Sequence, residues 1–255
     1  MKFNRIKLTL CFLATFCLPA LLFANKQPLF EKANELYSKG QYKEATETYQ
    51  RILETGQESA SVYFNLGNCS YKEGDIPQAL LYFEKAHRLA PGDDDINFNI
   101  RLATSKTVDK IDEAPEFFVS RWWKGFILNY SADGLATTAI ILTLIGSALL
   151  IWYFFALAAG AKRFAFFSSI FFFFVAICAI IIACSQANYF DNNKQAIVFT
   201  SSVNVKTSPA EAVSTTFVLH DGTKVNIMGN NNGWIRIKIA NGNEGWIKEG
   251  DVKEI

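Results

Sequence analysis

LATTAIILTLIGSALLIWYFFALAA (135–159), GAKR (160–163) and FAFFSSIFFFFVAICAIIIACSQA (164–187) are the stretch that decides the architecture. Neither long run holds a charged residue, and each exceeds the ~20 residues a helix needs to cross a hydrocarbon core of ~30 Å. The short link between them predicts a two-helix transmembrane hairpin, with helices over 135–159 and 164–187. Two crossings return the chain to its starting side, so the soluble regions before and after the hairpin share one compartment. Apart from the thiols of Cys178 and Cys184 the two runs carry no ionisable group, which argues against ion or proton transport. The net charge of +1 supplies no basic face, so no nucleic-acid partner is expected.

Working outward, Lys2, Arg5 and Lys7 precede an apolar run from Leu8 to Phe23. This reads as an export signal over residues 1–24, with Leu22-Phe23-Ala24 as the cleavage site. An uncleaved anchor is the alternative, and it exports the downstream chain equally well. Lys162 and Arg163 fall in the hairpin link, where positive charge favours the cytoplasmic side. Both arguments place the soluble regions outside the cytoplasm. Residues 104–134 read as a polar linker followed by an interfacial segment. Within it, Phe117–Leu128 mixes Trp122 and Trp123 with Arg121 and Lys124, the pattern of an amphipathic helix lying on the membrane surface. The alternative is a helix packed on the preceding domain. Cys69 is the one thiol of the mature soluble part and is expected as a small buried helix residue.

Residues 25–103 repeat at a period of ~34 residues. Gly40 aligns with Gly74, Ala45 with Ala79, Tyr49 with Phe83 and Ala33 with Gly67. The second copy, with Tyr63, Leu66, Gly67, Gly74, Ala79, Phe83, Ala86 and Pro91 in register, has the pattern of a tetratricopeptide repeat. Asp75 is placed to cap its second helix, with Pro77 in the first turn. A partial third copy after Pro91 is expected to close the stack. The first helices of such repeats line a groove, so Asn34, Tyr63, Asn65, Asn68 and Asn99 are expected to face a peptide, whose N–H and C=O groups an Asn amide can pair with. Relatives that clamp a C-terminal carboxylate use cations here, but Phe30 and Asp95 occupy two of those positions, so no such clamp is expected. His87 is expected on an exposed helix face.

Residues 194–255 change to period two. Six short apolar-alternating segments, bounded by Ser208-Pro209, Asp221-Gly222, Asn230–Gly233 and Asn241-Gly242-Asn243, predict a small all-β barrel. Val203-Asn204-Val205-Lys206, Leu219-x-x-Gly222-x-x-Val225, Trp234-x-Arg236-Ile237 and Gly245-Trp246-Ile247 resemble a bacterial SH3 domain. That resemblance implies binding of peptides or wall fragments, with Trp234, Trp246, Arg236 and His220 as the candidate ligand surface. The competing expectation is that both Trp residues fill the core of so small a domain, with His220 an ordinary loop residue.

The fold class is thus multidomain: an α-helical tetratricopeptide solenoid, a two-helix hairpin and an SH3-like barrel. No zinc spacing, phosphate-binding glycine loop or nucleophile elbow occurs, and no catalytic residue, metal or cofactor is expected. The order of export signal, repeats, hairpin and SH3 module resembles the E-type component of the Bacteroides aerotolerance (Bat) operon. The resemblance implies an inner-membrane protein facing the periplasm. It also implies partners with von Willebrand A domains, a MoxR-type ATPase system, and a role in oxygen or stress tolerance. The reading is a non-enzymatic scaffold, with a peptidoglycan sensor as the alternative.

Overall fold

The computed structural model describes residues 27–56, 58–112 and 114–255. The export signal expected over residues 1–24 lies outside the described residues. Among the described residues five short helices come first: α1 (Gln27–Ser38), α2 (Tyr42–Leu53), α3 (Ala60–Glu73), α4 (Ile76–Leu89) and α5 (Asp94–Thr104). Local chemistry sets their ends. α3 stops at Gly74, whose φ of +84° is the left-handed conformation that glycine adopts without steric cost. α4 starts with the Asp75 carboxylate accepting from the Gln78 amide at 3.1 Å. Asp93 likewise accepts from the Asp95 and Ile96 amides at the start of α5. The Lys110 ammonium closes α5 by donating to the carbonyls of Thr104, Ser105 and Thr107.

The helices pack through small residues at close crossings. Ala33, Ala45, Tyr49, Leu66, Cys69 and Ala86 lie in one buried cluster. A Cβ at Gly67 would stand 2.5 Å from the Phe83 ring, so this crossing requires glycine. Burial pushes the Cys69 thiol up to about 11, which leaves it an inert packing residue.

The third repeat has only its first helix. Ala79, Leu80, Leu81 and Phe83 of α4 and Ala103 of α5 share a buried cluster with Ile197, which is 0% exposed. In a continuing solenoid the next helix would cover these residues. Strand β1 of the C-terminal domain covers them instead, with Phe199 and Ile255 alongside. α5 alone therefore does not close the stack as expected, and it keeps Phe98 58% exposed.

The C-terminal domain has seven strands: β1 (Gln195–Val198), β2 (Ser202–Lys206), β3 (Thr215–His220), β4 (Lys224–Asn231), β5 (Trp234–Lys238), β6 (Glu244–Lys248) and β7 (Val252–Glu254). Their order is β3-β2-β6-β5-β4-β1-β7, with antiparallel pairing throughout. Alternation places Val203, Val205, Ile235, Ile237 and Ile247 in the core. The sheet is that of an SH3-like domain and is not closed, with β3 and β7 at its ends. β7, absent from the six-strand expectation, does not meet β3. Its edge lies beside α4, where Lys253 donates to Gln78, and an edge covered in this way has no need of closure.

Between the two soluble parts lie α6 (Phe118–Ile127), α7 (Ala132–Phe155) and α8 (Ala159–Asn192). α7 and α8 are long and apolar enough to cross a membrane, and only 17% and 22% of their apolar windows are buried within the chain. They meet along small residues. Ala139, Gly146, Ala165, Ser169, Ala176 and Ala179 are buried, and Ser169 donates to the Gly146 carbonyl at 2.9 Å. The link is Ala156–Ala158, not GAKR. Lys162 and Arg163 instead lie in the first turns of α8, because nothing in Ala159-Gly160-Ala161 breaks a helix. α8 also runs beyond the predicted 187 to Asn192 and so reaches the soluble part.

Candidate functional site

The repeat face is built from equivalent positions one repeat apart. Asn34 and Asn68 correspond, as do Asn65 and Asn99. Asn65 Nδ2 donates to Asn34 Oδ1 at 3.2 Å, and Asn99 Nδ2 donates to Asn68 Oδ1 at 3.2 Å. Each bond ties successive first helices, α1 to α3 and α3 to α5. The Tyr49 hydroxyl adds a bond to Asn34 Oδ1 at 2.5 Å. Burial pushes the Tyr49 phenol up to about 12, so it stays a donor. The four Asn side chains are exposed or half-buried and form one polar row.

Tyr63 does not join that row. Two residues along a helix is a turn of ~200°, so Tyr63 and Asn65 face opposite ways. Tyr63 is 7% exposed, stacks with Tyr82 of α4 at 6.4 Å and donates to Glu58 at 3.0 Å. Phe30 packs edge-on against Tyr49 at 5.9 Å.

On the sheet, Trp246 of β6 stands opposite Arg236 of β5 and Lys206 of β2. Trp234 opposes Lys248 and lies two residues from Arg236, so all five share one face. Ile235, Ile237 and Ile247 are buried on the other face. Trp234 and Trp246 are therefore half-buried surface residues and not part of the core. Arg236 is fixed by Glu244 at 2.7 Å, and Lys248 by Glu211 at 2.6 Å. The face joins two aromatic rings to a margin of ion-paired cations and carboxylates, a surface on which a polar ligand can stack.

His220 is held elsewhere. It ends β3, and Asp109 of the inter-domain strand of chain receives its backbone amide and Nδ1 at 2.7 Å each, with the Thr223 hydroxyl at 2.6 Å. Burial pushes the Asp109 carboxyl up, but these donors outweigh it and hold the carboxyl below its ordinary range. The segment expected to be a polar linker is thus a strap along the sheet. Ile111 packs on the sheet core, and the Ala114 amide donates to the Ala240 carbonyl at 2.9 Å. Gly222, at φ +81°, lies so close to Thr107 that a Cβ there would stand 2.7 Å from its methyl group.

The two soluble modules join tightly. Lys224 of β4 meets the buried carboxylate of Glu84 in α4 at 2.7 Å. Arg88 reaches the Ile255 carbonyl at 3.3 Å and Asp191 of α8 at 3.5 Å. His87, expected on an exposed face, is half-buried at this junction and its Nδ1 has no partner among the described residues. Burial lowers the His87 pKa, Glu84 raises it and Lys224 lowers it.

Two family models match separate parts of the chain. Residues 30–94 match the tetratricopeptide repeat, and residues 201–253 match the bacterial SH3 domain. The chain joins these two modules. No curated protein matches it at a significant level. Among solved structures, NlpC2 from Trichomonas vaginalis is 19% identical, with 25% of each chain covered and a TM-score of 0.23. An NlpC/P60 family protein from Bacillus cereus is 14% identical, covering 28% of this chain and 23% of that one, with a TM-score of 0.22. The chain spans about a quarter of the length of both proteins, and neither likeness bears on its activity.

Sequence reasoning missed the junction. Asp109, Glu84 and Lys224 carry it, and each sits in an ordinary polar context in the sequence. Glu84 alone leaves a trace, as a carboxylate one residue after the motif position Phe83.

Proposed function

We propose that this chain is a non-enzymatic, membrane-anchored scaffold whose two soluble domains face the periplasm. The observation that carries the reading is the fusion of two binding modules to a pair of apolar helices that the chain itself leaves uncovered. Large uncovered apolar surface needs an apolar solvent, and a bilayer supplies it. The export-signal pattern read in residues 1–24 and the basic pair Lys162-Arg163 support the orientation.

In this reading an extended peptide lies along Asn34, Asn65, Asn68 and Asn99. Each inter-helix bond uses one half of an amide, and the opposite halves meet the peptide backbone. The Trp234, Arg236 and Trp246 face docks a second partner. The resemblance to the Bat E-type component implies the partners: membrane proteins with von Willebrand A domains, working with a MoxR-type ATPase in stress or oxygen tolerance. The test is crosslinking in the membrane, with mass spectrometry of the proteins that co-purify with the intact chain. Capture of von Willebrand A-type proteins, lost in Asn65→Ala with Asn99→Ala, is the expected result. Capture unchanged by that pair refutes the groove.

One observation favours a second reading. Both Trp rings lie on the solvent side of the sheet, where peptidoglycan stem peptides and sugars can stack. Recovery of wall fragments alone, lost in Trp246→Ala, supports a wall sensor in place of the scaffold.

A further inference from the structure

Helix α6 reads FVSRWWKGFI. At ~100° per residue, Phe118, Val119, Trp122, Trp123 and Phe126 fall within an arc of ~140°. Ser120, Arg121, Lys124 and Gly125 take most of the remaining circumference. The apolar arc is turned away from the rest of the described chain: Phe118 is 72% exposed and Trp122 67%. Trp122 and Trp123 stack on Phe126 at 6.0 and 5.9 Å, so the aromatic plate is already assembled.

The C-terminal end of α6 is bolted to α8. Ile127 is 2% exposed, and the buried Gln186 side chain donates to the Ile127 and Tyr130 carbonyls at 2.8 and 2.7 Å. Lys124 lies over the Tyr189 ring at 5.8 Å. Gln186 is ~35 Å along the helix axis from Arg163 at 1.5 Å per residue, slightly more than the thickness of a hydrocarbon core. α6 is thereby fixed at the end of the apolar hairpin opposite the basic pair, and its aromatic residues are exposed as the hairpin's apolar residues are.

We propose that α6 docks its aromatic face in the headgroup–acyl boundary of the bilayer, with lipid as its ligand. The proposal rests on the reading that α7 and α8 cross the membrane. Trp favours this depth because its ring is apolar and its N–H needs a polar partner. The contact also orients the repeats. Gly92 lies against the chain just after α6, so closely that a Cβ there would stand 2.3 Å from the Asn129 carbonyl oxygen.

The test uses the full chain in nanodiscs of phosphatidylcholine, with and without bromine on the acyl carbons near the headgroup. The chain has five tryptophans, two on α6, one at Trp152 of α7 and two on the sheet. Trp152→Phe leaves α6 as the source of lipid-quenched emission, and Trp122→Phe with Trp123→Phe leaves Trp152. The expected result is loss of emission in brominated discs for both variants, abolished when all three substitutions are combined. Quenching in the Trp122/Trp123 variant but not in Trp152→Phe refutes the docking of α6 while the hairpin reading stands. No quenching in either variant overturns both. A crosslinked dimer through Val119→Cys, with α6 unquenched, assigns the face to a second copy and also overturns the proposal.

Discussion

Ile197→Ala is the sharpest perturbation of the join between the two soluble modules. Ile197 belongs to β1 yet is 0% exposed because α4 and α5 cover it. Truncation removes three carbons, worth ~2.4 kcal/mol at ~0.8 kcal/mol per carbon. The cavity left between a strand and two helices that are each held by other contacts adds to this, giving ~3 kcal/mol within the range for such changes. That is a rise of over ~100-fold in the opening equilibrium. The assay is hydrogen exchange with mass spectrometry on the intact chain in detergent. Amides of β1 and β4 and amides of α4 and α5 should lose protection together. A sheet that loses protection while α4 and α5 keep theirs refutes the coupling, whatever the size of the loss in the sheet.

Three further outcomes rest on named contacts. Asp109→Asn keeps the shape of the strap but removes a charged acceptor for three donors, and should cost ~2 kcal/mol in denaturant unfolding. The Asp109 carboxyl is held below its ordinary range, so its contribution is full above the ordinary carboxylate pKa and is lost as pH falls through the depressed value. Unfolding curves of Asp109→Asn should therefore lack that acid limb, and an unchanged limb counts against the assignment. His87 has a lowered pKa and faces Glu84 of its own helix, Asn97 of α5, Lys124 of α6 and Lys224 of β4. The unfolded chain binds its proton more readily, so stability should fall as pH drops below ~6.5, and thermal melts of His87→Gln should show less of that fall. Gly67→Ala places a methyl 2.5 Å from the Phe83 ring and should cost ~1–3 kcal/mol, read as a lower melting temperature of the helical signal.

The architecture is legible where spacing alone carries it. A period of ~34 residues, two uncharged runs and a period-two tail each arise from local geometry. The Asn row is legible for the same reason, since repeat-equivalent positions must share a face. Tyr63 is misplaced by the repeat register, which takes no account of the ~200° rotation that separates it from Asn65. The tryptophans of the sheet show the opposite error. Alternation places Trp234 and Arg236 on one side and Ile235 and Ile237 on the other, so position two residues from an Arg is a better guide than residue size. The junction is not legible. Asp109 and His220 are 111 residues apart, Glu84 and Lys224 are 140, and nothing local marks one charge as the partner of another. The hairpin link is misplaced because charge marks GAKR, whereas helix continuity through Ala159-Gly160-Ala161 decides where the chain turns.

The join matters for the scaffold reading because it removes the freedom that a linker would give. An apolar cluster around Ile197, a buried carboxylate paired with Lys224 and a strap pinned at Asp109 and Ala114 all cross between the modules. Opening the join would expose the apolar cluster around Ile197 and leave the buried Glu84 carboxylate without Lys224, so thermal motion does not swing the sheet away from the helices. The Asn row and the Trp face are then held in one relative geometry. For two sites on a stiff body, the effective concentration of the second partner is high when its own spacing matches and near zero when it does not. A scaffold of this kind selects an assembly by shape as well as by the affinity of either face. Loosening the join through Ile197→Ala should therefore weaken capture of a two-site partner more than capture of either isolated peptide. Equal losses for all three would mean that the sites act independently and that the join serves stability alone.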